Sequence, residues 1–353
     1  MTFMKISIGT NIKEGPWGGG NLFAKNLKNF LIESGHDVYD NLSVSDLDII
    51  LITEPRKTSE SSAFTHLDVK RYLDYVNDKA IVIHRINECD ERKNTNYVNK
   101  YIIEANKIAD QTIFVSEWLK NIYVNQGINE KNNDVILAGS NSDIFNSVNF
   151  IPWTTNKKLR IVTHHWGANW NKGFEVYTKL DRLIGLDEWK NKIEFTYIGN
   201  LPKKFKFQNS NHIDPLSGVE LANEIKQNHL YITGSLNEPS GNHHIEAAQC
   251  GLPILYINSG GVKEYCDGYG LEYNISNLEE VISKFMKDHT LYYEKMKNYP
   301  FSSKRMCNDF ENLFFGLLDK KEQIYNERYF KKNENFIGKY SYLFLRNLKN
   351  YFR

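Results

Sequence analysis

The chain has 353 residues, of which 41% are hydrophobic and 25% charged, and its net charge is +1. That length is about twice an ordinary domain, so two domains are expected, each long enough to bury a core. The balanced charge argues against nucleic acid as a partner, and no apolar run approaches the roughly 18 residues of a membrane span. Met1 to Gly9 is too short and strand-like for a secretory signal, and the scattered Cys89, Cys250, Cys266 and Cys307 form no CxxC pair, which fits a reduced, cytoplasmic chain.

In chain order, Lys5 to Ile8 reads as a strand, followed by a glycine-rich loop and a helical stripe over Asn21 to Ser34 that Gly35 ends. Asp48 to Thr53, Ala80 to His84, Thr112 to Val115 and Val135 to Leu137 read as buried strands, with a second stripe formed by Val98, Tyr101, Ile102, Ala105 and Ile108. The pattern breaks near Phe150 to Lys158. It then repeats with strands at Leu159 to Thr163, Phe195 to Ile198, Leu230 to Thr233 and Pro253 to Ile257, and an amphipathic helix at Asn308 to Leu318. Strand–helix alternation of this kind predicts α/β architecture with two doubly wound parallel sheets, and ligands bind outside the carboxyl edges of such sheets. The expected domains are residues 1–153, 154–305 and a 306–353 crossover helix and tail.

The strongest chemical signal is Glu238-Pro-Ser-Gly-Asn-His-His-Ile-Glu246-Ala-Ala-Gln-Cys-Gly251-Leu-Pro253, after the strand ending at Thr233. Pro239 and Gly241 make Glu238 a loop residue and set a helix start near Ser240, with Glu246 about two turns in. A helix start of small residues presents free N–H groups to an anion such as a diphosphate, and a nearby carboxylate accepts bonds from sugar or ribose hydroxyls. Gly18-Gly19-Gly20 lies between the first strand and helix, where glycine permits close backbone approach. Lys172-Gly173 opens a helical pattern after the strand from Leu159, and His84-Arg85 ends the strand from Ala80.

The Glu-x7-Glu segment with its Ala-Ala-x-x-Gly-x-Pro tail resembles the signature of GT4-like retaining glycosyltransferases of the GT-B fold. The resemblance implies two Rossmann-like domains facing across a cleft, with the acceptor on the N-terminal side. It gives Glu238 the transferred sugar, Glu246 the nucleotide ribose, and Ser240, Gly241 and Asn242 the phosphates. Gly18, Gly19 and Gly20 resemble the family's first loop, against diphosphate and acceptor, and His84 its histidine facing the donor sugar. Lys172 resembles the lysine of an Arg-x5-Lys-Gly element that binds diphosphate, but Trp166 stands where the arginine is expected; His165, Asn169, Trp170 or Arg85 are the substitutes on offer. Val115 to Leu119 and Ala138 to Phe145 resemble architectural landmarks, and Asp90 or Arg92, in the polar loop after His84-Arg85, is the candidate acceptor contact.

The implied activity is transfer of a hexose from a nucleotide diphosphate sugar to a sugar or lipid-linked glycan acceptor, with retained configuration and in surface polysaccharide or glycolipid synthesis. No cofactor and no metal are expected. Asp46-Leu47-Asp48 precedes its strand, the wrong end for a parallel-sheet site, and His164-His165 and His243-His244 lack a completing ligand set. Two other classes share the architecture, nucleotide-sugar epimerases or hydrolases and non-catalytic nucleotide-sugar-binding proteins, and the missing arginine fits the latter. The tail from Tyr325 alternates aromatic and basic residues, with eight Lys or Arg against three Glu from Lys321 onward. Two expectations follow for it: peripheral contact with an anionic membrane face, or packing back on the N-terminal domain.

Overall fold

The computed structural model describes residues 3–15, 18–328 and 336–351. The chain divides into two units, one made of residues 1–115, 119–136 and 307–353, the other of 116–118 and 137–306. The first holds β1 (Lys5–Ile8), β2 (Asp37–Tyr39), β3 (Ile49–Ile52), β4 (Ile81–Ile86), β5 (Gln111–Phe114) and β6 (Asn133–Val135). They pair in parallel in the order β2-β1-β3-β4-β5-β6. Between them run α1 (Gly19–Glu33), α2 (His66–Tyr75), α3 (Asp90–Lys93), α4 (Val98–Asn106) and α5 (Glu117–Asn125). β4 is buried along its whole length, as expected for a strand covered on both faces. Successive side chains leave a strand on opposite faces. Val82 therefore joins the core of Ile50, Ile52, Val69 and Tyr72. His84, of the same parity, reaches Asn106 at the end of α4, and Arg85 turns the other way and lays its guanidinium over the Phe23 ring of α1, 3.7 Å from the centroid.

The second unit repeats the plan with β7 (Leu159–His165), β8 (Ile193–Gly199), β9 (Asn211–Ile213), β10 (Leu230–Thr233), β11 (Ile254–Tyr256) and β12 (Gly270–Glu272). All pair in parallel in the order β12-β11-β10-β7-β8-β9. Its helices are α6 (Phe174–Ile184), α7 (Gly218–Lys226), α8 (Asn242–Gln249), α9 (Val262–Cys266) and α10 (Leu278–Met296). Two cores flank the sheet. Leu159, Ile161, Leu230 and Ile232 pack on one face with Phe174, Tyr177 and Phe285, and Val162, Tyr231 and Ile254 on the other with Leu221, Ile245 and Ala248.

The chain returns to the first unit through α11 (Ser303–Asp319), α12 (Lys321–Glu327) and α13 (Phe336–Tyr351). Phe310 packs on Phe23 with centroids 5.2 Å apart, and the Arg328 fork grips the buried Asp110 carboxylate at 2.9 and 2.7 Å. In α13, the Tyr342 ring lies tilted against Tyr75 with centroids 5.7 Å apart and Arg346 donates to the Ser43 carbonyl, whereas Tyr340 and Phe344 are exposed. Of the tail residues read in the sequence, Tyr329, Phe330, Lys331, Lys332, Phe352 and Arg353 lie outside the described residues.

Two sequence expectations differ from these boundaries. The units divide after Ile136, not after residue 153, because Ala138 and Phe145 are buried with the second unit's core and the Ser140 N–H bonds the Phe301 carbonyl. Strands β2, β9 and β12 were not expected: each is a three-residue edge strand, partly exposed and without an apolar run.

Candidate functional site

In the second sheet the strand order reverses at the β7/β10 pair, the crevice where open α/β sheets take ligands. The loop after β7 supplies Lys172 and the loop after β10 supplies Glu238. A 3-10 turn, Trp170–Lys172, precedes Gly173, whose φ of +103° disfavours any side chain. A Cβ at Gly173 would also lie 2.8 Å from Gly234, so the two loops pack backbone to backbone. A similar contact fixes the far side of Glu238. The Gly261 N–H donates to the Glu238 carbonyl at 2.9 Å, and Gly260, at φ +71°, leaves room where a Cβ would meet Glu238 backbone at 2.3 Å.

The result is a direct ion pair between the Lys172 ammonium and the Glu238 carboxylate, with side chains only 14% and 8% exposed. Four buried histidines surround it. Alternation along β7 sends His164 toward α8, where its Nε2 stands 2.9 Å from Glu246 Oε2. It sends His165 toward α6, where its Nε2 is 2.7 Å from the Tyr177 hydroxyl. His243 Nε2 meets Thr233 Oγ1 at 2.9 Å, and His244 is fully buried beside it. Burial holds His165 and His243 well below the ordinary histidine range, reinforced for His165 by the Lys172 charge and for His243 by its neighbours His165 and His244, and burial pushes His244 down to about 3. His165, His243 and His244 are therefore neutral at pH 7, and the cation of the cluster is Lys172, paired with Glu238.

Helix α8 begins at Asn242, with Gly241 as its N-cap, so Ser240 precedes the helix and Glu246 lies little more than one turn in, not two. Pro239 to Gly241 forms a longer loop than expected because Glu238 is tied to Gly260 and Gly261. Lys172, Glu238, Ser240, Gly241, Asn242 and Glu246 are all parts of the second unit. Gly18, Gly19, Gly20 and His84 belong to the first. There Gly18 caps α1 and Gly19 opens it, and a Cβ on Gly20 would lie 3.6 Å from the Asn87 amide. Pro16 and Trp17 of the same loop lie outside the described residues. His84 is buried, its Nδ1 lies 2.9 Å from Asn106 Oδ1, and burial lowers its pKa to about 4. With Asn106 accepting, Nδ1 carries the proton and Nε2 is left an acceptor.

Several sequence readings resolve into architecture. His165 is engaged with Tyr177 and Trp170 stacks on Phe174, while Trp166 and Trp170 are both more than half exposed. Asp90 accepts from the backbone N–H groups of Tyr97, Val98 and Asn99 and from Thr95, which makes it a local cap. Arg92 pairs with Glu88 at 2.9 Å. Asp46 pairs with Lys5, and Asp48 accepts the Lys5 N–H. Among the described residues no cluster of three or more His, Cys, Asp and Glu is arranged to hold a metal ion. His164 was weighed in the sequence only as a zinc ligand; strand parity places it on the α8 side of β7, against Glu246.

Residues 188–301, which contain Glu238 and Glu246, match the family model described as Glycosyl transferases group 1. A search of the curated proteins gives no match. Among solved structures, the chain is similar to a glycosyltransferase from Rickettsia africae, at 16% identity over 90% of this chain and 99% of that one, with a TM-score of 0.64. It is similar to Anabaena HepE in complex with UDP-glucose, at 12% identity over 89% and 100%, TM-score 0.63. It is also similar to a sucrose-phosphate synthase from Thermosynechococcus elongatus, at 12% identity over 90% and 99%, TM-score 0.60. At such identities the likeness establishes the fold, which is α/β of the GT-B type. The family match over residues 188–301 supports glycosyl transfer.

Proposed function

We propose that this chain moves a sugar from a nucleotide diphosphate sugar to an acceptor hydroxyl, with retention of configuration. The observation that carries the reading is the Lys172–Glu238 pair at the switch point of the second sheet, beside the start of α8. A departing diphosphate needs fixed positive charge and N–H donors where its own charge develops, and Lys172 with the Ser240 to Asn242 backbone offers both. Glu238 is the group assigned to the sugar hydroxyls, and Glu246, one turn further, the group assigned to the ribose. His84 presents an unprotonated Nε2 at neutral pH and is assigned to a donor-sugar hydroxyl; Gly18 to Gly20 are assigned to the diphosphate and acceptor side. In this reading the protein contributes orientation and electrostatics, and the leaving phosphate takes the acceptor proton.

UDP-glucose, bound by the similar Anabaena protein, is the first hexosyl donor to test. We assign the acceptor to the sugars or lipid-linked glycans of surface polysaccharide or glycolipid synthesis at the cytoplasmic membrane face. The exposed Tyr340 and Phe344 of α13, four residues apart, support peripheral contact with anionic lipid there. No helix of the described residues is long and apolar enough to cross a membrane. The deciding experiment incubates the full chain with UDP- and GDP-sugars and glycan acceptors. Free nucleoside diphosphate with an α-configured product from an α-donor supports the reading; binding without turnover, or an altered donor sugar, refutes it.

A further inference from the structure

The buried histidine beside Glu246 has a task that the donor reading leaves unassigned. We infer that His164 is a positioning residue that fixes the Glu246 carboxylate for the ribose of the donor, so that the site discriminates ribonucleotides from deoxyribonucleotides; this rests on the assignment of Glu246 to the ribose.

His164 Nε2 and Glu246 Oε2 are 2.9 Å apart, and both side chains are less than a tenth exposed. A carboxylate only accepts, so Nε2 carries the proton and Nδ1 faces the Tyr231 hydroxyl, 3.3 Å away. Tyr231 in turn accepts the His164 peptide N–H at 3.1 Å. Burial raises the Tyr231 phenol well above its ordinary range, so it remains a hydroxyl. Tyr231 on β10, His164 on β7 and Glu246 on α8 thus form one hydrogen-bonded chain across three elements, built on the two central strands of the sheet.

The chain holds one carboxylate oxygen and leaves Oε1 as an acceptor for hydroxyls. A carboxylate held this way does not lose rotamer freedom again when a ligand arrives, and its bond to a hydroxyl is charge-assisted. Discrimination against a missing hydroxyl is then large, because a desolvated carboxylate oxygen without its partner is costly. The inferred substrate class is a ribonucleoside diphosphate sugar, with the 2′-deoxy donors disfavoured if the 2′ hydroxyl is the one read and the 3′-deoxy donors if it is the 3′.

The test is calorimetric binding of UDP, GDP and ADP to the full chain, followed by the 2′-deoxy and 3′-deoxy forms of whichever binds best. Wild type is expected to lose about 10- to 100-fold for one deoxy form, the scale of a hydrogen bond to a charged group. In His164→Leu that ratio should fall to about threefold or less, with affinity for the ribonucleotide itself reduced. His164→Gln, whose amide N–H reaches toward the Nε2 position, should restore the ratio, and the shorter His164→Asn should not. The Gln and Asn pair decides the matter where the Leu variant does not fold. A folded Leu or Asn variant that keeps the wild-type ratio overturns the role of His164 and leaves the ribose assignment standing. Wild type that binds a nucleotide without discriminating its deoxy forms overturns both, and binding of none of the three overturns the donor reading itself.

Discussion

Replacing Lys172 with methionine separates what the Lys172–Glu238 pair does for folding from what it does for chemistry. Both side chains are largely out of water, at 14% and 8% exposure, so removing one charge leaves the other desolvated and less well compensated. Breaking a buried pair costs about 3–5 kcal/mol, and the partial exposure of Lys172 places this case near 3. For a unit of this size that is a melting shift on the order of 6–12 °C. Lys172→Met with Glu238→Gln removes both charges, and most of the lost stability should return because no buried charge is left over. Activity should not follow. If Lys172 stabilises the departing diphosphate, single and double variants both lose about 100- to 1000-fold in kcat/KM. The assay is a double-mutant cycle read twice, by denaturant unfolding and by release of nucleoside diphosphate from the donor. A double variant that regains turnover along with stability refutes the argument, for it means that the pair only holds two loops together.

Glu246→Ala should raise the donor KM about tenfold with kcat nearly unchanged, because ribose contacts exist in ground and transition state alike; a fall confined to kcat counts against the ribose role. The depressed pKa of His84, about 4 when folded against 6.5 unfolded, means the unfolded chain binds the extra proton as pH drops. The stability it confers is present above pH 6.5 and is lost as pH falls toward 4, by about 1.4 kcal/mol per pH unit. His84→Gln should flatten the slope of unfolding free energy between pH 6.5 and 4 by about that amount, and an unchanged slope is inconsistent with the buried neutral ring. Turnover should be complete in EDTA, and a loss restored by Mg²⁺ or Mn²⁺ rules out the metal-independent reading. For the tail, the chain cut after Arg328 keeps the grip on Asp110 and should stay folded while losing affinity for anionic vesicles; equal binding by the cut and full chains removes the membrane role.

Sequence alone determined the repeated α/β plan, because a strand covered on both faces reads as a short, mainly apolar run, as in β3, the first half of β4 and β10. It also placed Lys172 and Glu238 in loops that follow strands and Glu246 in the helix after the second of them, the side where a parallel sheet takes its ligands. It could not show the edge strands β2, β9 and β12, whose backbone pairs on one side only and whose side chains are partly solvated. Nor could it find the division after Ile136, which depends on where Ala138 and Phe145 pack, a matter of contacts far along the chain. The neighbourhood of Lys172 was likewise decided only in three dimensions. Residues 66 and 82 positions apart meet because β7 and β10 are adjacent strands although α6, β8, β9 and α7 lie between them in sequence. Parity along β7 then separates two neighbouring histidines that the sequence could read only as a pair, turning His164 to Glu246 and His165 to Tyr177.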